Sequence, residues 1–233
     1  MHTISGRQRQ LECSPDPSKE VRFTTVTGSQ RQQECAVAAM NDTRSGITND
    51  ASLQRELHII LSAFEAGLQT LLLRKPGWSE HAYARWLSFL PECYRQHVMV
   101  ATYPALVESF GLKGLHLSEA ARAQIAPYEI RKLRETGKWV SASMHDDATD
   151  TTAFDFVLQG PVFDSLSKTR HLARPFHHIP SNAIALGGVH EGNVLQAREL
   201  GYCGAAVLGA VWQQPENANS TITQLINRWN QTT

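Results

Sequence analysis

This sequence has no excess of charge of either sign, no long apolar run and no closely spaced pair of cysteines. Its 22 lysine and arginine residues balance 22 aspartate and glutamate residues, so a nucleic acid is not expected as the main partner. No apolar run approaches the roughly 20 residues of a membrane-spanning helix, and the polar N-terminal residues lack the apolar centre of a secretory signal. The four cysteines are widely spaced, unlike those of zinc and redox motifs. These absences predict a cytoplasmic protein with reduced thiols.

The first fifty residues differ in composition from the rest of the chain. Glutamines stand among Ser, Thr, Arg and Asn, a mixture that buries too little apolar surface to fold. The stretch Val21–Thr27 is an exception, because its β-branched and aromatic residues alternate as in a strand. We therefore predict a disordered, Gln-rich tail at residues 1–19, a first strand at Val21–Thr27 and a flexible insertion at residues 28–49.

From Asp50 onward, apolar segments of strand length alternate with segments of helical periodicity. Further strands are predicted at Leu68–Leu73, Val98–Ala101, Gly114–Leu117, Trp139–Ser143, Phe154–Leu158, Ile184–Gly187 and Gly204–Leu208. After a first helix that begins near Asp50, a second helix is predicted at residues 79–94, and helical or partly helical connectors are predicted at residues 104–110, 119–134, 193–200 and 221–230. Eight strands alternating with helices favour a single (β/α)8 TIM barrel, spanning residues 20–233. An open doubly wound sheet is disfavoured because its glycine-rich phosphate loop would follow the first strand.

Two apolar strands near the end of the chain finish in glycine, at Ile184–Gly188 and Ala205–Gly209. Because glycine has no side chain, bare backbone N–H groups can approach an anion closely there. In (β/α)8 barrels the loops after the last two strands commonly hold a phosphate. Gly187, Gly188 and Gly209 are therefore candidate phosphate-binding residues, and the predicted ligand is a phosphorylated small molecule.

The carboxyl ends of the other strands supply the catalytic candidates, since barrel active sites are built there. Arg74 and Lys75 follow the second strand, and two cations at this edge suit an anionic substrate. His145 follows the fifth strand, close after Ser143, and its imidazole can exchange protons near neutral pH. For His116, on the fourth strand, a core position and a site position both stay open.

A loop after the sixth strand carries Ser165, Ser167 and Lys168. Two hydroxyls and one cation can hold a heterocycle and a phosphate, although such loops are often only turns. His177 and His178 stand beside prolines, which favours a solvated loop over a metal site.

Six motifs, in order along the chain, resemble the thiamine phosphate synthases and their thiazole tautomerase relatives. They are Phe64-Glu65-Ala66-Gly67 leading to Leu73-Arg74-Lys75-Pro76; Gly111-Leu112-Lys113-Gly114-Leu115-His116-Leu117; Ser143-Met144-His145; Gly160-Pro161-Val162-Phe163 with Ser165-Leu166-Ser167-Lys168; Ala185-Leu186-Gly187-Gly188-Val189; and Ala206-Val207-Leu208-Gly209-Ala210. The resemblance runs from about Val21 to Trp212 and implies a barrel enzyme of thiamine biosynthesis. Synthases of this kind couple an aminomethylpyrimidine diphosphate to a thiazole phosphate and release pyrophosphate, with magnesium on the diphosphate. The tautomerases move a proton to aromatise the thiazole phosphate precursor and need no metal.

The resemblance also implies a role for each candidate. The glycines at 187, 188 and 209 hold the phosphate of the thiazole, and the serines at 165 and 167 lie beside its ring. Lys168 reaches phosphate oxygens, and with Arg74 and Lys75 it neutralises the diphosphate of a synthase substrate. Ser143 contacts the substrate, and His145 is the candidate proton carrier of a tautomerase.

The resemblance is weakest where the synthases bind metal and diphosphate. Ala101-Thr102-Tyr103 stands where they usually have an Asn-Asp pair, which leaves Glu119 as the nearby carboxylate for magnesium. Three hypotheses therefore stay open: a synthase that uses magnesium, a metal-independent thiazole tautomerase that uses His145, and a non-catalytic binder of thiazole or thiamine phosphate. The family tendency also predicts a homo-oligomer.

Overall fold

The computed structural model describes residues 37–41, 50–147, 150–164 and 172–231. The strands are β1 Val37–Asn41, β2 Thr70–Leu73, β3 Val98–Val100, β4 Gly114–Leu117, β5 Trp139–Met144, β6 Phe156–Gln159, β7 Ala183–Leu186 and β8 Gly204–Val207. The α-helices are α1 Asp50–Glu65, α2 Glu80–Phe89, α3 Glu92–Arg95, α4 Ala105–Ser109, α5 Glu119–Gln124, α6 Pro127–Glu135, α7 Val194–Glu199, α8 Gly209–Trp212 and α9 Ala218–Trp229. None of these helices is long and apolar enough to cross a membrane.

The strands form one parallel sheet in which neighbours along the chain are neighbours in space. β1 pairs with β2, where Ala38 lies opposite Thr70, and also with β8, where Val37 lies opposite Ala205. The predicted α/β class and its TIM-like parallel sheet are confirmed. Among the described residues, no helix lies between β5 and β6 or between β6 and β7.

The position of the first strand corrects the prediction. β1 lies at Val37–Asn41, inside the segment 28–49 that was expected to be a flexible insertion. The predicted strand Val21–Thr27 and the predicted tail at residues 1–19 lie outside the described residues. The sequence of β1, VAAMN, contains two alanines, which have low strand propensity, so its pattern is weaker than that of Val21–Thr27.

Prolines divide two of the segments for which helical structure is predicted. The segment 79–94 contains α2 and most of α3, separated at Leu90 and Pro91. The segment 119–134 contains α5 and most of α6, separated at Ile125 and Ala126. Leu90 and Ala126 precede prolines and have extended backbones, with ψ of 127° and 139°. A proline ring clashes with helical backbone in the residue before it, so neither segment can form one continuous helix across its proline. α5 ends earlier still, since Ile125 is already extended with ψ of 134°.

Alternate strand residues face the two sides of the sheet. One buried cluster lies on the barrel-interior side and contains Leu72, Met99, Trp139, Phe156, Leu158, Ile184 and Ala206. Residues of the opposite parity, such as Leu71, Leu73 and Leu115, belong to the larger cluster shared with the helices. By the same alternation, Arg74 continues the interior side of β2, whereas Lys75 continues the helix-facing side.

Candidate active site

A buried hydrogen-bonded chain joins β3, β4 and β5 inside the barrel. The His116 side chain lies between two hydroxyls, with Nδ1 at 2.9 Å from Ser141 Oγ and Nε2 at 3.0 Å from Ser143 Oγ. Ser141 Oγ also lies 4.0 Å from the thioether Sδ of Met99. His116 is only 2% exposed, while Ser143 is half-buried near the carboxyl end of β5. His116 is therefore a core histidine that contacts a predicted site residue.

Burial and, as a smaller cause, the nearby charge of Arg74 together lower the pKa of His116 to about 3. The imidazole is therefore neutral at pH 7, with one N–H donor and one acceptor nitrogen. The effect of Arg74 on this pKa also indicates that its guanidinium lies within electrostatic reach of the hydrogen-bonded residues His116, Ser141 and Ser143. Arg74 and Ser143 thus belong to the same end of the barrel.

Lowering the pH is expected to destabilise the fold through His116. In the unfolded chain this histidine binds a proton below its ordinary pKa of 6.5, whereas in the fold it does so only near 3. The stability that is present above pH 6.5 is therefore lost as the pH falls toward 3. The expected loss between pH 7 and pH 5 is about 2 kcal/mol. Denaturant titrations of the wild type and His116→Gln at both pH values measure it, and an equal loss in the two proteins would contradict it.

His145 lies just after β5 and is fixed by the loop that follows β6. Its Nδ1 is 2.6 Å from the carbonyl oxygen of Gly160. A carbonyl oxygen only accepts, so Nδ1–H is the donor and, in the neutral ring, Nε2 carries the lone pair. A half-buried imidazole with a fixed tautomer is suited to accept a proton through Nε2. The structure thus fixes the tautomer of His145, and its role as a proton carrier stays a prediction.

The turn after β7 packs directly against the loop after β6. Gly187 and Gly188 have φ of +93° and +65°. The Phe163 N–H donates to the Gly187 carbonyl at 3.1 Å, and a Cβ on Gly188 would lie 2.3 Å from the Asp164 carbonyl oxygen. The amide of Asn193 donates to the Gly188 carbonyl at 3.0 Å and holds the turn from the other side. This backbone requires glycine at both positions, and their phosphate-binding role stays a prediction.

Arg74 and Lys75, predicted as a pair, have different surroundings. The Lys75 ammonium is 2.5 Å from Glu56 Oε1 of α1 and lies over the Trp78 ring, 5.2 Å from its centroid. Lys75 is 2% exposed, so its charge pairs with Glu56 of α1 beneath the surface and is not available to a ligand. Arg74 is half-buried and acts electrostatically on both His116 and Tyr83. Arg74 therefore lies at the barrel mouth, the end of the barrel where the carboxyl ends of the strands meet, whereas the Lys75 side chain does not.

Aromatic side chains occupy the rim beside the ends of β2 and β3. Tyr103 has a positive φ of 60°, and its hydroxyl donates to the Trp78 carbonyl at 2.8 Å. The rings of Tyr83 and Tyr103 meet edge to face with centroids 5.5 Å apart, and burial raises the pKa of Tyr83. The rim at β3 is thus built of aromatic rings, at the place where the synthases usually have metal-binding residues.

The described residues do not fit a magnesium ion held by the protein. They contain no group of three or more His, Cys, Asp or Glu side chains able to hold a metal. Glu119 is exposed in the first turn of α5, whose N-terminus is capped by Ser118. Magnesium prefers carboxylate and phosphate oxygens in octahedral geometry, and one exposed carboxylate supplies little of that shell.

Two further arginines, which no sequence motif singles out, contact the backbone at the barrel mouth. Arg122 Nη1 donates to the Ser143 carbonyl at 3.2 Å, and Arg174 Nη1 donates to the His145 carbonyl at 3.4 Å. Arg122 stands four residues after the helix cap Ser118, and helical side chains lean toward the N-terminus, so its approach to the mouth was readable. Arg174 lies in a loop whose sequence carries no such signal.

Of the four remaining candidate site residues, the structure describes only Gly209. Ser165, Ser167 and Lys168 lie outside the described residues. Gly209 is half-buried and is the first residue of α8, directly after the end of β8. The residues that the structure brings to one end of the barrel are Arg74, Ser143, His145, the Gly187–Gly188 turn, Gly209 and the two added arginines.

The profile of the thiamine monophosphate synthase family matches residues 45–211. The chain belongs to the thiamine monophosphate synthase family. The matched range includes the carboxyl ends of β2 to β8, where the candidate residues lie. The family resemblance and the enzyme class predicted from it, a transferase of thiamine biosynthesis, are confirmed.

The individual relatives share fewer than a quarter of the aligned residues with this chain. A thiamine-phosphate synthase of Chlorobium phaeobacteroides is 24% identical over 198 residues, covering 77% of this chain and 94% of that protein. The crystal structure of a thiamine phosphate pyrophosphorylase from Bacteroides thetaiotaomicron aligns with a TM-score of 0.61 at 22% identity, covering 85% of this chain and 100% of that one. A thiamine phosphate pyrophosphorylase from Pyrococcus furiosus aligns with a TM-score of 0.63 at 16% identity, covering 86% and 99%. The structural likeness at these identities shows the fold.

Proposed function

We propose that this family member couples a thiazole phosphate to an aminomethylpyrimidine diphosphate and releases pyrophosphate. The observation that carries the proposal is the family match across every strand end from β2 to β8. Arg74, Ser143 and His145 lie at those ends, together with the Gly187–Gly188 turn. A cation, a hydroxyl, an imidazole and a glycine turn are suited to bind two phosphorylated heterocycles.

The phosphate of the thiazole is proposed to lie at the last two strands. Gly187, Gly188 and Gly209 offer backbone without side chains at the ends of β7 and β8, the usual phosphate position in (β/α)8 barrels. Ser165 and Ser167 are proposed beside the thiazole ring, and Lys168 at the phosphate oxygens. This half of the site needs no metal.

The diphosphate is proposed to lie nearer β2 and β5, where Arg74 supplies positive charge. Negative charge develops on the pyrophosphate as its bond to the pyrimidine methylene breaks, and a fixed guanidinium stabilises that charge. Lys168 shares this role, whereas the ion pair of Lys75 with Glu56 removes Lys75 from it. Magnesium, the metal that this family generally uses, would add charge neutralisation on the diphosphate oxygens, but the described residues do not form a site for it.

We also propose a domain organisation, an oligomeric state and a location for the protein. We infer that residues 20–233 form one (β/α)8 domain. A cytoplasmic homo-oligomer that acts on small phosphorylated molecules, without nucleic acid or membrane as partner, is consistent with the family and with the balanced charge.

A thiazole tautomerase is the second candidate, favoured by one observation. The bond from His145 Nδ1 to the Gly160 carbonyl leaves Nε2 as a base at the barrel mouth. Such a base can move a proton on a thiazole phosphate without a metal. A non-catalytic binder would keep the glycine turn and show neither reaction.

Two variants are expected to separate these candidates. Lys168→Ala is expected to abolish coupling, because it removes a cation from the phosphate oxygens, while His145→Ala lowers coupling by tenfold at most. The measurement is thiamine phosphate formation from both substrates by chromatography, with His81→Ala on the exposed face of α2 as the control histidine variant. Absence of coupling, with thiazole aromatisation that is lost in His145→Ala, would assign the chain as a tautomerase. Binding of thiazole phosphate without either reaction would identify the protein as a non-catalytic binder.

A further inference from the structure

The interior chain of hydrogen bonds has a direction, because one of its members cannot donate. A thioether sulfur only accepts, so the contact between Ser141 Oγ and Met99 Sδ is made with the hydroxyl proton of Ser141. Ser141 Oγ then accepts from His116 Nδ1–H at 2.9 Å. The neutral ring has no second proton, so its Nε2 accepts from the Ser143 hydroxyl at 3.0 Å.

The charges at the barrel mouth favour the same direction. Ser143 lies two residues nearer the carboxyl end of β5 than Ser141, and Arg122 donates to its carbonyl. Arg74 is near enough to affect the charge state of His116. Positive charge at the mouth favours lone pairs that face it and protons that point away from it. The sulfur contact and the mouth charges are independent observations, and both select the Nδ1–H tautomer.

We propose that His116 is a positioning residue that fixes the Ser143 hydroxyl as a hydrogen-bond acceptor toward the ligand. With its proton held by His116 Nε2, Ser143 Oγ presents only lone pairs to the mouth. It therefore binds an N–H or O–H group of the substrate and cannot donate to a phosphate oxygen. Phosphate groups are left to the glycine turns and the cations, so Ser143 selects the neutral, donor-bearing part of a substrate. This specificity role rests on the proposed function, whereas the tautomer does not.

The tautomer can be measured directly in the full-length protein. Nitrogen-15 NMR of histidine-labelled wild type, with the His116 signals identified by their loss in His116→Gln, distinguishes a protonated Nδ1 from a protonated Nε2. The expected result is a protonated Nδ1 and an unprotonated Nε2 that stay unchanged from about pH 8 to about pH 5, since the ring of a buried histidine resists protonation there. A protonated Nε2 would overturn the proposal, whatever reaction the protein catalyses.

Conservative variants test the effect on the ligand. The amide of His116→Asn replaces Nδ1 and keeps the contact with Ser141, whereas the longer His116→Gln replaces Nε2 and can still accept from Ser143. We expect His116→Asn and Ser143→Ala each to lower kcat/KM for coupling about tenfold, mainly through KM, as for one lost hydrogen bond. The double variant should fall no further, and His116→Gln should stay within about threefold of wild type.

Additive losses in the double variant, or a His116→Gln protein as impaired as His116→Asn, would overturn the proposal. Thermal unfolding of each variant shows whether a loss reflects folding, and the wild-type NMR result decides the tautomer even where a variant does not fold. Failure of the proposed function has a different signature: wild-type protein that forms no thiamine phosphate while the NMR result still shows a protonated Nδ1.

Discussion

Replacing Arg74 by methionine is expected to lower kcat/KM for coupling by about 100- to 1000-fold, the usual effect of removing a group that stabilises transition-state charge. Methionine keeps much of the length and packing of arginine and removes its charge. Arg74 follows the carboxyl end of β2 on its interior side and lies within electrostatic reach of His116, so its charge is at the end of the barrel where the candidate site lies. Steady-state kinetics with the pyrimidine diphosphate varied at saturating thiazole phosphate measures the effect.

Lys75→Met is the matched control, because it removes the same charge one residue later. The Lys75 ammonium neutralises Glu56 in a partly buried ion pair, so its loss is expected to lower the free energy of unfolding by about 3 kcal/mol. Activity per folded molecule should stay within about threefold of wild type. A stable Lys75→Met protein with severely reduced activity, beside a nearly active Arg74→Met protein, would reverse the assignment of the two cations.

Gly188→Ala is expected to lower both the stability of the fold and the affinity for substrate. Gly188 has φ of +65°, and an added Cβ would lie 2.3 Å from the carbonyl oxygen of Asp164 and 2.6 Å from that of Phe163. Backbone atoms cannot move aside as a flexible side chain can, so the loop after β6 must shift. We expect the free energy of unfolding to fall by about 3 kcal/mol and KM for thiazole phosphate to rise at least tenfold.

Gly111→Ala separates the clash from the backbone strain. Gly111 has nearly the same φ, +64°, with no heavy atom within 4 Å of an added Cβ. Its alanine variant is expected to lose about 1 kcal/mol and no activity. Denaturant titration and steady-state kinetics of both variants measure the difference. A Gly188→Ala protein that is destabilised but binds thiazole phosphate normally would show that the turn serves packing and that the phosphate binds elsewhere.

The positions of the strands were largely predictable from this sequence. β2 to β8 lie within two residues of the predicted ranges, because each is a short apolar run bounded by polar or glycine residues. In a parallel sheet the carboxyl ends of all strands meet at one edge, so locating the strands was enough to bring Arg74, Ser143 and His145 together. β1 was missed because its alanines carry little strand signal.

The partners of individual side chains were less predictable, since they depend on contacts between distant elements. Lys75 pairs with Glu56 across the interface of β2 and α1, although strict alternation from Leu72 already assigns it to the helix-facing side. The chain through Met99, Ser141 and His116 needs three strands in register, and no local pattern encodes that register. The positive φ of Tyr103 is likewise invisible in the sequence.

The most direct test of the central claim is a product assay on the wild-type protein. Purified chain is incubated with thiazole phosphate and aminomethylpyrimidine diphosphate across a range of magnesium concentrations, and thiamine phosphate and pyrophosphate are quantified over time. Formation of the two products in equal amounts, strongly reduced in Arg74→Met, is the predicted result. No thiamine phosphate at any magnesium concentration, from protein that still binds thiazole phosphate, would contradict the synthase activity.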